Sequence, residues 1–425
     1  MKKDDIKYSS YVQILNEELI PAMGCTEPIA LAYCAAKARE ILGKMPDRVV
    51  IGASGSIIKN VKSVIVPNTN GLKGIPAAAT AGIVAGKSDK KLEVISDVST
   101  QEMDDMRTFM ENVPIEVHHF HNGLTFDIIV TVYNGDNCAT VRIVNFHTNI
   151  VHIEKDGEVI LHTDIEGENE EGLTDRSFMN LADIFDFANT VELSDVEDII
   201  SRQIDFNTAI SKEGLTGKWG SAIGKILIDT YGNNVFNRAK AAAAAGSDAR
   251  MNGCEMPVII NSGSGNQGMT TSLPVIEYAK ELNVDNEKMI RALVLANLVT
   301  IHQKTPIGRL SAFCGAVSAG AGAGAGIAYL LGGDIDAISH TVVNAIATTG
   351  GMVCDGAKSS CATKIASAVE AGILGYQMHL AGKDFQPDDG IVGDTPEKTI
   401  ENIGRMAKFG MKETNEEIIK IMIGQ

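Results

Sequence analysis

The sequence predicts an α+β protein, a mainly helical domain into which a mixed α/β domain with a largely antiparallel sheet is inserted. Three observations predict it. The chain has 425 residues, beyond the size at which one hydrophobic core usually stops growing, so two domains are expected. Between about residues 48 and 155 it is a succession of β-branched runs bounded by Gly, Pro, Asn and Asp, the signature of strands. Before and after that stretch the apolar residues fall at helical spacing.

In chain order, residues 9–42 read as helical through Ile14, Leu19, Ile20, Ile29, Leu31 and Ala35, with a break at 21–25 and Pro28 suited to the first turn of a second helix. Strands are expected at RVVIGAS, VKSVIVP, KLEVISDV, PIEVHHF, TFDIIVTVY, ATVRIVNF and NIVHIEK, and helices among them at IPAAATAGIVAGK and TQEMDDMRTFMEN. The short turn NGDN implies antiparallel pairing of the later runs. Residues 164–175, DIEGENEEGLTD, form an acidic, solvated linker, and everything beyond it is helix-rich without a repeat of solenoid length. The first helices resemble this last part more than the middle. The expected division is therefore 1–46 with 170–425 as the helical domain and 47–169 as the insertion.

Composition narrows the function. A formal charge of −17 opposes extended contact with nucleic acid or anionic lipid, while leaving room for a small anionic ligand held by local N–H groups. The opening MKKDDIKYSSYVQ lacks an apolar core behind its lysines, so no secretory signal is expected. Seven cysteines in a long chain suit reduced thiols, ligands or nucleophiles, and hence the cytoplasm. The tract at 316–333, AVSAGAGAGAGIAYLLGG, is too poor in large side chains for a membrane span, which wants ~20 mostly large apolar residues. It reads as a buried helix where backbones approach closely. Exposed Ala-rich helical faces would suit a homodimer.

Cys314, Cys354 and Cys361 lie among Gly, Ala and Ser, in AFCGAVSAG and GGMVCDGAKSSCATKIA, where a bulky inorganic group can sit against the backbone. Asp355-Gly356 signals a turn that brings two of the thiols together. A 4Fe-4S cube held by three cysteines keeps one iron open as a Lewis acid. On spacing alone, buried inert thiols account for the three equally well. Cys25, in GCTEP, precedes Thr26 as a candidate N-cap, so helix N–H groups would favour its thiolate, with Glu27 working against that if close. In NSGSGNQGMTTSLP, Gly263, Gly265 and Gly268 permit a nest of N–H groups for a carboxylate, with Ser262, Ser264, Asn266 and Gln267 as side-chain donors. A lone Gly-rich run is more often an ordinary turn. Lys59, Lys304 and Lys358 are weaker candidates for charge compensation. His118, His119 and His121 in VHHFHNG lack an acidic or cysteine pattern to complete a metal site and read as a solvated strand end. Cys34, Cys138 and Cys254 read as packing residues.

Together GCTEP at 24–28, SGSGNQG at 262–268 and CDGAK at 354–358 with Cys361 resemble the L-cysteine desulfidase family, which is related to the α-chain of bacterial iron-sulfur L-serine dehydratases. The likeness spans essentially the whole chain. It implies an oxygen-sensitive 4Fe-4S lyase that converts L-cysteine and water to pyruvate, ammonia and sulfide without pyridoxal phosphate. It further implies Cys314, Cys354 and Cys361 as cluster ligands with one iron open, and Cys25 as the acceptor of the Cα proton; the match at Cys314 rests on its order and small-residue setting. Ser262, Gly263, Ser264, Gly265, Asn266 and Gln267 would then bind the amino-acid substrate. An L-serine dehydratase using the same site, and a non-enzymatic iron-sulfur sensor or binding protein, are the alternatives.

Overall fold

The computed structural model describes residues 1–120, 123–165, 173–308 and 311–424. Its first part runs α1 (Ile6–Glu18), β1 (Pro21–Met23), α2 (Thr26–Leu42), β2 (Arg48–Ser54), α3 (Gly55–Val61), α4 (Gly74–Ala85), α5 (Thr100–Asn112) and β3 (Ile115–Phe120). There follow β4 (Asp127–Asn134), β5 (Asn137–Val144), β6 (Ile150–Lys155) and β7 (Glu158–His162). The rest is helical apart from one short strand: α6 (Leu181–Thr190), α7 (Glu197–Gly214), α8 (Ile223–Tyr231), α9 (Val235–Met251), β8 (Pro257–Ile259), α10 (Gly265–Glu281), α11 (Asn286–Lys304), α12 (Gly315–Leu330), α13 (Ile335–Thr349), α14 (Cys361–Leu380), α15 (Pro396–Arg405) and α16 (Lys412–Ile423). The fold is α+β.

The large sheet has the order β3-β2-β4-β5-β6-β7. Only β2 and β3 pair in parallel; the other neighbours are antiparallel. The hairpin NGDN forms as expected, Asn134 facing Asn137, with Gly135 supplying φ 58° at the first turn position. Two expected strands do not form. VKSVIVP contributes a single bridge, Ile65 to Lys73, and KLEVISDV becomes a helical turn and loop interrupted at Lys91, whose φ is 49°. In both, Val64, Val66, Val94 and Ile95 are buried. Their apolar character is satisfied by packing, which short apolar runs seek without specifying a ladder partner.

Two hydrophobic cores organise the chain. One gathers Tyr11, Ile14 and Leu15 of α1 with Phe187, Leu293, Val299 and the later helices. The other gathers Ile29, Leu31 and Cys34 of α2 with Val49, Ile51, Ile128, Val130 and Val141 of the sheet. The helix α2, grouped by its texture with the helical region, thus packs on the sheet. Its run of Ala residues lets α4 come close: a Cβ on Gly82 would lie 2.0 Å from the carbonyl oxygen of Ala32. The boundary expected near residue 169 falls outside the described residues.

The Gly/Ala tract is α12, buried along nearly its whole length. Its glycines admit α14 at backbone distance, and a Cβ on Gly320 would sit 2.4 Å from the Ala368 carbonyl oxygen. Among the described residues no helix is long and apolar enough to cross a membrane. The small sheet β1–β8 is antiparallel, pairing Pro21 with Ile259 and Met23 with Pro257. It joins the segment that leads into α2 to the segment that leads into α10.

Candidate active site

Cys25 sits at the junction of β1 and α2. It is itself the N-cap of α2, in extended backbone at φ −76° and ψ 132°, and its side chain makes no capping bond. Thr26, the expected cap, lies inside the helix and donates instead to the carbonyl of Gly263 at 3.0 Å. The Cys25 sulfur turns to Glu27, donating to Oε2 at 3.1 Å, and the other carboxylate oxygen accepts from Asn60 Nδ2 at 2.8 Å. Both residues are buried.

The electrostatics reverse one expectation. Burial and then the Glu27 charge push the Cys25 thiol well above its ordinary value, against a smaller lowering by Arg250. Helix N–H groups do not make it a resting thiolate, because burial and the carboxylate outweigh them. Burial would also raise Glu27, but the His147 charge, the Cys25 hydrogen bond and Arg250 together hold its carboxyl low. The resting pair is therefore a thiol donating to a carboxylate.

The Gly-rich tract is more helical than its composition suggests. Ser262 at φ 49° and Gly263 at φ 79° are left-handed, in a turn closed by paired backbone bonds between Asn261 and Ser264 at 3.0 and 3.1 Å. From Gly265 onward the chain is α10, with Ser264 as N-cap and Pro274 inside the helix. Gly265 and Gly268 serve close packing: a Cβ on Gly268 would lie 2.0 Å from the Ile259 carbonyl oxygen. The N–H groups of Gly265, Asn266 and Gln267 are left in the first turn, where intrahelical partners are lacking. Ser262 Oγ donates to Asn261 Oδ1 at 2.9 Å, and buried Gln267 leans against Gly315.

Cys314 is the N-cap of α12, and Cys361 is the first residue of α14. Cys354 is tied to the segment before Cys314 by an isolated antiparallel bridge between Phe313 and Val353. The bridge is made by two bonds, Cys314 N–H to the Met352 carbonyl at 3.0 Å and Cys354 N–H to the Ala312 carbonyl at 2.6 Å. No hydrogen-bonded turn forms at Asp355-Gly356; the chain there is irregular, with Gly356 left-handed at φ 96°. The three sulfurs are close enough to act on one another. Burial, Cys354 and Cys361 push the Cys314 thiol up to about 12, and burial and Cys354 raise Cys361.

Cys361 also borders the apolar patch formed by Cys25, Val64 and Met251, so the structure brings the N-terminal cysteine beside the C-terminal trio. All seven cysteines are free. Among the described residues no three His, Cys, Asp or Glu side chains close on one point as ligands of a single ion do. Thiols are the ligands that iron-sulfur clusters use, and two of the three stand at helix starts, where N–H groups offset part of the cost that burial places on anionic sulfur.

Around these cysteines, buried Lys59 donates to Asn415 Oδ1 at 2.7 Å and the Ser311 carbonyl at 3.3 Å. Its burial lowers the ammonium, while Cys354, Glu27, Asp355 and Cys314 oppose that shift. Lys358 pairs with Asp355 at 2.6 Å. Lys304 is buried at the last position of α11. His118 pairs with exposed Glu116 at 3.4 Å, His119 lies beside Gly55, and His121 lies outside the described residues. Cys34 donates to the Val141 carbonyl at 3.3 Å, Cys138 lies on β5 and Cys254 is in the larger core. Arg250, Asn60 and His147 escaped the sequence reading. Only Arg250 carries a local signal, a charge closing the Ala-rich run of α9.

Fold and site together define an α+β protein in which a buried thiol–carboxylate pair lies near Cys361, one of two cysteines at helix starts, with Cys354 on the segment bridged to the other, Cys314. The chain belongs to the serine dehydratase alpha chain family, whose profile matches residues 89–420. It is 56% identical over 425 residues to a UPF0597 protein of Desulfitobacterium hafniense, covering 100% of this chain and 99% of the relative. It is 52% identical over 416 residues to a UPF0597 protein of Lachnoclostridium phytofermentans, covering 98% and 100%. A UPF0597 protein of Treponema denticola is 45% identical over 432 residues, with 100% of each chain covered. These relationships make the protein serine dehydratase-related.

Proposed function

We propose that the protein is a cytoplasmic iron-sulfur lyase that converts L-cysteine and water to pyruvate, ammonia and sulfide. The observation that carries this reading is the buried Cys25–Glu27 pair, 3.1 Å apart, in the same apolar patch as Cys361. Cys314, Cys354 and Cys361 would hold a 4Fe-4S cluster, which when bound supplies an open iron as a Lewis acid toward the substrate.

The chain's own groups account for the remaining chemistry. The turn from Ser262 and the first-turn N–H groups of Gly265, Asn266 and Gln267 receive the substrate carboxylate at the N-terminus of α10. Arrival of the substrate ammonium beside Cys25 favours its thiolate, with Glu27 accepting the thiol proton. The thiolate then takes the Cα proton, hydrosulfide leaves from Cβ, and the enamine that remains tautomerises and is hydrolysed to pyruvate and ammonia. Burial keeps the base away from bulk water. The family match favours a second reading, L-serine as substrate with hydroxide leaving, for which the same residues serve.

Anaerobic reconstitution with iron and sulfide, followed by assay of pyruvate and sulfide from L-cysteine and of pyruvate from L-serine, tests both. Faster turnover of L-cysteine supports the first reading, and faster turnover of L-serine replaces it with the second. No turnover of either by fully loaded protein removes the enzyme reading and leaves a sensor.

A further inference from the structure

Arg250, the next-to-last residue of α9, is a buried cation that feels the Glu27 charge but is bonded to no carboxylate among the described residues. It is 2% exposed. Its Nη1 donates to the neutral Oδ1 of Asn266 at 3.2 Å, and its Nε has no hydrogen-bond partner. Among the described residues it forms no ion pair with a carboxylate. A guanidinium held out of water this way is costly until an anion joins it.

The group is aimed at the start of α10. A Cβ on Gly265 would lie 2.4 Å from Nε and 2.8 Å from Cζ, so the absence of a side chain there is what admits the guanidinium. Arg250 lowers both Cys25 and Glu27, which places its charge within reach of the thiol–carboxylate pair. On the same first turn, the Oε1 of buried Gln267 also lacks a partner, and that side chain meets Gly315, the neighbour of Cys314. An unanswered donor and an unanswered acceptor thus flank one helix start, between Cys25 on one side and Cys314 on the other.

We propose that Arg250 binds the α-carboxylate of the amino-acid substrate, together with the N–H groups that open α10, and thereby selects amino acids over simple amines. This rests on the lyase reading above. The planar fork of Arg suits a carboxylate in two-point contact, and Gln267 Oε1 supplies the acceptor that the accompanying ammonium requires. Asn266, already bonded to the guanidinium, fixes its orientation.

The test compares L-cysteine with cysteamine, which has the same thiol and amine but no carboxylate, by calorimetry on cluster-free protein under reductant. Wild-type protein is expected to prefer L-cysteine by about tenfold or more. Arg250→Met is expected to bring that ratio close to one with cysteamine binding unchanged, and to raise KM more than it lowers kcat in loaded enzyme. Arg250→Lys, which keeps the buried charge, restores part of the preference and guards against a folding defect. An indifferent wild type, or an Arg250→Met protein that still discriminates, overturns the assignment. If loaded enzyme is active while Arg250→Met discriminates normally, only Arg250 is misassigned. If loaded enzyme turns over neither amino acid while the Arg250-dependent preference holds, the lyase reading fails and the carboxylate site stands.

Discussion

The sulfur of Cys25 donates a hydrogen bond to the Glu27 carboxylate across 3.1 Å, two residues along the same helix start. A buried thiol beside a buried anion resists ionisation. Cys25→Ala is therefore expected to abolish elimination, by a factor on the order of 10²–10⁴ for loss of a general base, while the visible absorbance of the reconstituted cluster persists. Retained activity in that variant would remove Cys25 from the mechanism.

Glu27→Gln takes away the anion that raises the Cys25 thiol. It also takes away the acceptor of the thiol proton, so kcat is expected to fall, and the rise of kcat/KM that remains, set by the thiol itself, moves toward lower pH. A profile measured from pH 6 to 10 that stays in place would mean that the carboxylate does not set the ionisation of the base.

Replacing Cys354 or Cys361 with Ala is expected to lower both bound iron and activity while leaving the melting temperature of the cluster-free protein almost unchanged. Both are free and only partly buried, so their removal opens no large cavity and costs about 0.5 kcal/mol or less. Iron per chain after reconstitution, set beside a thermal melt, separates ligand loss from misfolding.

Glu397 bonds His302 Nε2 at 2.6 Å and accepts from the Leu181 N–H at 2.7 Å. Burial would raise its carboxyl, but the His302 bond, the His302 charge and the Leu181 N–H hold it below its ordinary value. A depressed carboxyl stabilises the fold above the unfolded-state value, and that stabilisation is lost as pH falls through the folded value. Glu397→Gln should cost about 1 kcal/mol of stability at neutral pH after allowance for partial exposure, read as a lower melting temperature. The gap from wild type should close in acid; a gap that persists at pH 3 would contradict the linkage.

Gly320→Ala places a methyl 2.4 Å from the Ala368 carbonyl oxygen, forcing α12 and α14 apart. Overpacking of this kind costs about 1–3 kcal/mol. Denaturant unfolding should register it, and Gly320→Val should be worse.

Periodicity announced what periodicity can announce. β4 and β5 were legible because alternating apolar residues met a turn of fixed chemistry at Gly135, and α12 because only a buried helix tolerates so many glycines. The segments at 61–67 and 91–98 were misread as strands, since Val94 and Ile95 bury their side chains without a neighbouring ladder. The packing of α2 on the sheet was hidden because its small residues favour close approach to any partner. At the site, Cys25, the Gly-rich turn and the three later cysteines were legible as unusual company for their residue types. Arg250 was not, because its meaning depends on its approach to Gly265, which is not near it in the chain.

The bridge between Phe313 and Val353, made by two main-chain bonds, holds Cys314 and Cys354 in register by backbone alone. The main chain thus sets these two positions without help from a ligand. If the proposed cluster were lost, that part of its socket would remain, and reloading should run at the speed of iron and sulfide delivery, with no refolding delay.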